Sequence, residues 1–172
     1  MAEQEVTTDV RIEGGVLVGQ DGSKNSSVAV AWAARTADRL GLPLHVLRAW
    51  TITTAPTPPT MTGGYVPPLV DFEQEVVSAV KADLADLDLP ETLEVHVHAV
   101  RGKSSTKLLE AAENADLLVV GTRGGGGFRG LGFGSTADQV VRHAPCPSGA
   151  GASHRRTSPE PGRGETGPTT RS

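Results

Sequence analysis

The sequence predicts an α/β domain with a single open parallel sheet and helices on both of its faces. Short apolar runs such as Val16–Val18 and Leu117–Val120 alternate along the chain with longer segments of helical spacing. A continuous apolar run is typical of a strand that is buried on both faces, and strands alternating with helices form βαβ units. The 172 residues are enough for one such domain with its own core.

Local signals place the individual elements. Ser23 or Asn25 can cap the first helix, and Gly41 followed by Leu42 and Pro43 ends it. The next strand is followed by a long segment rich in proline and threonine, which we interpret as a mobile lid or a spacer. The predicted elements are Val16–Val18, Ser26–Leu40, Leu44–Trp50, the loop Thr51–Asp71, Phe72–Leu87, Thr92–Val100, Thr106–Asn114, Leu117–Val120 and Gly134–His143.

The segment Thr92–Val100 alternates between apolar and polar residues, which indicates a strand with one exposed face at the edge of the sheet. His96 and His98 share the polar face and could offer two nitrogens to a metal ion. The sequence places no carboxylate or cysteine to complete such a site. We therefore interpret both histidines as exposed residues of an edge strand and predict no metal site.

A glycine-rich segment joins the buried strand Leu117–Val120 to the last helix. It reads Gly121-Thr122-Arg123-Gly124, then nine residues, then Gly134-Ser135-Thr136. Glycine lets a phosphate approach the backbone closely, and a helix N-terminus offers unpaired N–H groups and a partial positive charge. This pattern favours capture of a phosphorylated ligand, although glycines are also typical of flexible surface loops.

This spacing, G-x-x-G, nine residues, then G-[S/T], resembles the nucleotide signature of the universal stress protein family. Val16–Ser23 resembles the first strand of that family and the acidic loop after it, and His143–Pro147 resembles its approach to a last strand. The resemblance covers residues 15–147 and implies strand order 3-2-1-4-5 with bound ATP in one branch. The positions it assigns to the nucleotide are Gly19, Gln20, Asp21, Ala49, Val120, Gly121, Thr122, Arg123, Gly124, Gly134, Ser135 and Thr136.

The resemblance implies that Asp21 holds the nucleoside, that the backbone at Ala49 meets adenine, and that the glycine segment holds the phosphates. An alternative is that Asp21 only forms an Asx-turn before the helix. The implied function is regulation through ATP binding, with Mg²⁺ compatible with the phosphates. The sequence shows no catalytic residue. A slow ATP hydrolase or phosphotransferase, and a dimeric interaction protein without nucleotide, remain alternatives.

Composition narrows the class of protein. The net charge of -4 and the 3% of aromatic residues give no reason to expect nucleic acid or an anionic membrane as partner. Cys146 is the only cysteine, which excludes an internal disulfide and is typical of a reducing compartment. No apolar run approaches the roughly 20 residues that span a bilayer. We expect a cytoplasmic protein.

The chain changes character after Pro147. Residues Ser148–Ser172 contain no Val, Ile, Leu, Met, Phe, Tyr or Trp, and such a segment buries too little apolar surface to offset its ordering entropy. We therefore divide the chain into an N-terminal arm (1–14), the α/β domain (15–147) and a disordered tail (148–172). The fifth strand implied by the resemblance is missing on this interpretation, which puts the family's homodimer in doubt. A reading-frame change and a natural tail both explain the switch.

Overall fold

Five parallel strands form one sheet in the order β3-β2-β1-β4-β5, in a computed structural model that describes residues 5–123 and 132–151. The predicted fold class and strand order are confirmed. β2 matches its predicted bounds residue for residue, and β3 is an edge strand as predicted. The strands are β1 (Val16–Gly19), β2 (Leu44–Trp50), β3 (Val95–Arg101), β4 (Leu117–Gly121) and β5 (Ser148–Gly151).

Helices cover both faces of the sheet because the strands are apolar on both sides. One face packs alanines of the first helix and Val80 of the second against Val18 and Val46. The other face packs Leu108 and Val140 against the opposite side chains of the same strands. The helices are α1 (Lys24–Leu40), α2 (Leu69–Ala85), α3 (Ser104–Ala111), which a short 3₁₀ turn extends to Asn114, and α4 (Ser135–His143).

The ends of α1 follow from local chemistry. Ser23 is the N-cap, and its hydroxyl oxygen accepts a hydrogen bond from the Ser26 N–H at 3.2 Å. Gly41 ends the helix with a φ of 67°, a left-handed conformation that glycine adopts without a steric penalty. No helix within the described residues is long and apolar enough to cross a membrane.

The prediction that the fifth strand is missing is wrong. β5 pairs in parallel with β4, with Leu118 opposite Ser148 and Gly121 opposite Gly151. The Thr122 N–H closes this ladder by donating to the Gly151 carbonyl oxygen at 3.2 Å. The physical reason is that a ladder uses only backbone groups, so a segment of Ser, Gly and Ala can extend a sheet whose β4 edge is already fixed. The β4 edge is therefore covered. The rest of the predicted tail lies outside the described residues.

Three histidines lie together on β2 and β3. The rings of His45 and His96 stack with centroids 4.9 Å apart, and His45 Nδ1 lies 3.0 Å from His98 Nε2. His96 is exposed as predicted and contacts Glu94, whereas His98 is half-buried. Among the described residues, no group of three or more His, Cys, Asp or Glu can hold a metal ion.

Burial, followed by the charges of the neighbouring His45 and His96, lowers the pKa of His98 to about 4. Burial, followed by the charge of His96, also lowers the pKa of His45. As the pH falls, the unfolded chain therefore binds a proton at His98 near pH 6.5, whereas the folded chain binds it only near pH 4. The contribution of His98 to stability is complete above pH 6.5 and is lost as the pH falls toward 4.

We predict that His98→Gln makes the free energy of unfolding less dependent on pH. Between pH 7 and 4.5 the parent should lose about 1–2 kcal/mol more than the variant, after allowance for solvent screening of a half-buried group. Urea denaturation at several pH values measures this difference. His143→Gln, at an exposed histidine of α4 outside this cluster, is the matched control and should keep the parental slope. An unchanged slope in His98→Gln would contradict the assignment.

Candidate functional site

A cleft opens at the carboxyl ends of β1, β2 and β4, on the face of the sheet that α3 and α4 cover. It brings together the loop after β1 and the glycine-rich segment after β4, although about 100 residues separate them in the chain. Predicted site residues that line it are Gly19, Gln20, Asp21, Ala49, Val120, Gly121, Arg123 and Thr136.

The remaining predicted residues lie around this cleft rather than in its lining, as far as the structure describes them. Thr122 and Gly134 hold the two ends of the glycine segment together, because the Gly134 N–H donates to the Thr122 carbonyl oxygen at 2.7 Å. Ser135 is the first residue of α4. Gly124 lies outside the described residues.

Asp21 forms the Asx-turn that was the structural alternative to a ligand role. Its Oδ1 accepts a hydrogen bond from the Ser23 N–H at 2.9 Å, and its own N–H donates to Ser26 Oγ at 3.3 Å. Gly22 completes the turn with a φ of 80°, which explains the glycine at this position. Asp21 nevertheless lines the cleft and is exposed, so the turn positions the carboxylate at the cleft mouth.

Gly19 and Gly121 are required by packing as well as by access. A Cβ on Gly19 would lie 2.9 Å from Leu108 Cδ1, and a Cβ on Gly121 would lie 3.1 Å from the backbone carbonyl of Asn25. These glycines let α3 and the start of α1 approach the strand ends closely.

The start of α4 provides backbone donors at the cleft. Within the described residues, no side chain caps this helix at Gly134, and Thr136 in its first turn lines the cleft. The N–H groups of a first turn have no partner inside their helix and carry partial positive charge. An anionic group is therefore the expected partner at this end.

Ala49 presents backbone groups at the opposite end of the cleft. The Gln20 N–H donates to the Leu47 carbonyl oxygen at 2.9 Å, and the pairing of β1 with β2 ends at Gly19 opposite Leu47. Backbone groups of alternate residues in a parallel strand point to the same side. The N–H and C=O of Ala49 therefore face the β1 side just beyond the last pair.

Apolar side chains form the floor of the cleft between these two ends, and sequence reasoning missed them. Leu47, Leu108 and Ala137 line it, together with the hydroxyl-bearing Ser26 and Ser104. The period of α3 predicts that Leu108 is buried, but only the crossover topology shows that it lies under the ends of β1 and β4. Among the described lining residues, Asp21 and Arg123 carry the charged side chains.

Comparison with known proteins agrees with this fold. The family model described as "Universal stress protein family" matches residues 15–148. A universal stress protein of Mycolicibacterium smegmatis is 36% identical over 137 residues, which cover 77% of this chain and 43% of that protein. A relative from Mycobacterium tuberculosis is 34% identical over 141 residues, or 80% of this chain and 47% of that protein. The chain belongs to the universal stress protein family.

Solved structures extend the comparison. The universal stress protein UspA of Lactobacillus plantarum superposes with a TM-score of 0.58 at 22% identity, over 83% of this chain and 99% of that one. A universal stress protein solved in complex with cAMP superposes with a TM-score of 0.51 at 25% identity, over 80% and 94% of the two chains. The chain spans less than half the length of the curated relatives named above.

We predict that Gly121→Ala destabilises the fold by about 1–3 kcal/mol, because the added Cβ presses on the backbone at the start of α1. Gly149→Ala in β5 is the matched control, since no described heavy atom lies within 4 Å of its Cβ position. The control should be neutral within about 0.5 kcal/mol. Urea denaturation of both variants measures the difference, and equal stability would show that Gly121 is not needed for packing.

Proposed function

We propose that this protein binds ATP in the cleft between Asp21, Ala49 and Thr136, and that occupancy regulates its conformation or its contacts with a partner. The observation that carries the proposal is the convergence of the acidic loop after β1, the end of β2 and the start of α4 on one cleft. Ligands of open α/β sheets bind at this edge. The neighbour solved with cAMP supports an adenine nucleotide as the class of ligand.

The base and ribose would occupy the end of the cleft that Asp21 and Ala49 line. The Ala49 carbonyl oxygen can accept from the adenine amino group, and the Ala49 N–H can donate to a ring nitrogen. Guanine has a carbonyl where adenine has the amino group, so adenine is the better partner in this orientation. The Asp21 carboxylate, at the mouth, can accept from a ribose hydroxyl.

The phosphates would lie at the start of α4. The proposed donors are the first-turn N–H groups, the hydroxyls of Ser135 and Thr136, and the backbone of the segment Gly121–Gly124. Arg123 is exposed at the cleft and could add charge-assisted hydrogen bonds. Mg²⁺ would be held by the phosphates, since among the described residues no cluster offers it a protein cage.

The cleft has to widen for this ligand. Its volume is about 60 Å³, whereas pockets that enclose a small ligand measure roughly 300–1,000 Å³. Such a widening on binding gives nucleotide occupancy a way to change the surface of the protein.

Location and assembly are part of the same proposal. We expect the protein to act in the cytoplasm, where ATP is abundant and the lone Cys146 stays reduced. Because β5 is present as an edge strand, the sequence-based argument against a homodimer no longer applies. We propose the homodimer that is expected for this family.

We predict that ATP binds more tightly than GTP and that Asp21→Ala weakens ATP binding about 10- to 100-fold, the value of a lost hydrogen bond to a charged group of roughly 1.5–3 kcal/mol. Binding of inorganic triphosphate should fall by less than twofold. Isothermal titration measures the binding of ATP, GTP and inorganic triphosphate. In a separate sample of freshly purified protein, any bound nucleotide is released by heat and identified.

Asp21→Asn is the control variant, because its side-chain oxygen can still accept from the Ser23 N–H and keep the turn. Equal losses for ATP and triphosphate in Asp21→Ala would remove Asp21 from nucleoside recognition. Failure of the parent to bind ATP would refute the proposed function. Release of inorganic phosphate in a single-turnover assay would favour the hydrolase alternative.

A further inference from the structure

Gln20 lines the cleft, and its buried side chain extends to α2 on the opposite face of the sheet from α3 and α4. Gln20 is 5% exposed, and its Nε2 donates a hydrogen bond to Asp83 Oδ2 on α2. Gln20 lies two residues after Val18, which packs against α1 and α2, so strand alternation puts both side chains on that face. Its neighbour Asp21 lines the cleft on the other side.

The amide of Gln20 has one anchor within the described part of the chain. Its Oε1 is buried there without a hydrogen-bond partner, so the bond to Asp83 alone fixes the orientation of the amide. A buried amide that makes no hydrogen bond is unfavourable. If Asp83 were removed, the side chain would have to move to reach water or another partner, and the backbone of Gln20 would move with it.

That backbone borders the proposed nucleoside end of the cleft. The Gln20 N–H donates to the Leu47 carbonyl oxygen at 2.9 Å, next to the Ala49 groups that face the same side. Asp21 follows directly. A displacement of Gln20 would therefore change the spacing between the Asp21 carboxylate and Ala49, while α4 at the phosphate end is anchored separately through the contact of Gly134 with Thr122.

We propose that Asp83 is a positioning residue for the nucleotide site, which acts through Gln20 and sets the geometry of the nucleoside end from the opposite face of the sheet. This inference rests on the proposed function. Among the hydrogen bonds of the described residues, the one to Gln20 is the only bond that joins Asp83 to the cleft lining. It also ties the cleft to α2, the helix that follows the long loop 51–68.

The test measures ATP and inorganic triphosphate binding by isothermal titration in Asp83→Ala. We expect ATP binding to weaken about tenfold and triphosphate binding to change by less than twofold. Asp83→Asn keeps an oxygen that can accept from Gln20 Nε2 and should restore most of the ATP affinity. Asp86→Ala is the matched control, because it makes the same chemical change at an exposed residue just after α2.

Gln20→Ala provides a second route to the same result. In combination with Asp83→Ala it should cause no further loss of ATP affinity, because both changes remove the same hydrogen bond, the one between Gln20 and Asp83. Additive losses, equal losses for ATP and triphosphate, or parental ATP affinity in Asp83→Ala would each overturn the inference. In the last case the parent still binds ATP and the proposed function stands, whereas a parent that binds no ATP refutes both.

Discussion

The site depends on the close approach of helices to the ends of β1 and β4. Gly19 and Gly121 end these strands, and neither could carry a Cβ without pressing on Leu108 or on the start of α1. Because parallel strands share one direction, their carboxyl ends meet at one edge, and these glycines let α1 and α3 approach that edge closely. The cleft lies between those helix starts and the longer strand β2.

Much of this arrangement could be predicted from local sequence. The strand Leu44–Trp50 is bounded by a proline and a polar loop, and the helix after β1 begins with a serine cap and ends with a glycine. The spacing from Gly121 to Gly134 identified the segment that returns to the same edge. The sheet order itself came from the family resemblance, since periodicity does not determine which strands are neighbours.

Other features could not be read from the sequence for physical reasons. β5 has no side-chain signal because Ser, Gly, Ala and Gly pair only through their backbone. The bond between Gln20 and Asp83 joins residues 63 positions apart, and the contact of His45 with His98 depends on the register of β2 and β3. Such long-range contacts follow from the topology and leave no local pattern.

The most direct test of ATP binding in this cleft is a titration followed through backbone amide chemical shifts. We expect saturable shifts on adding ATP that are largest at Ala49, Gly121 and Thr136, which lie in three separate segments of the chain but border one cleft. The amide of His96, on the edge strand β3, should not move. Shifts that do not saturate, or that centre on β3 instead of the cleft, would contradict the account.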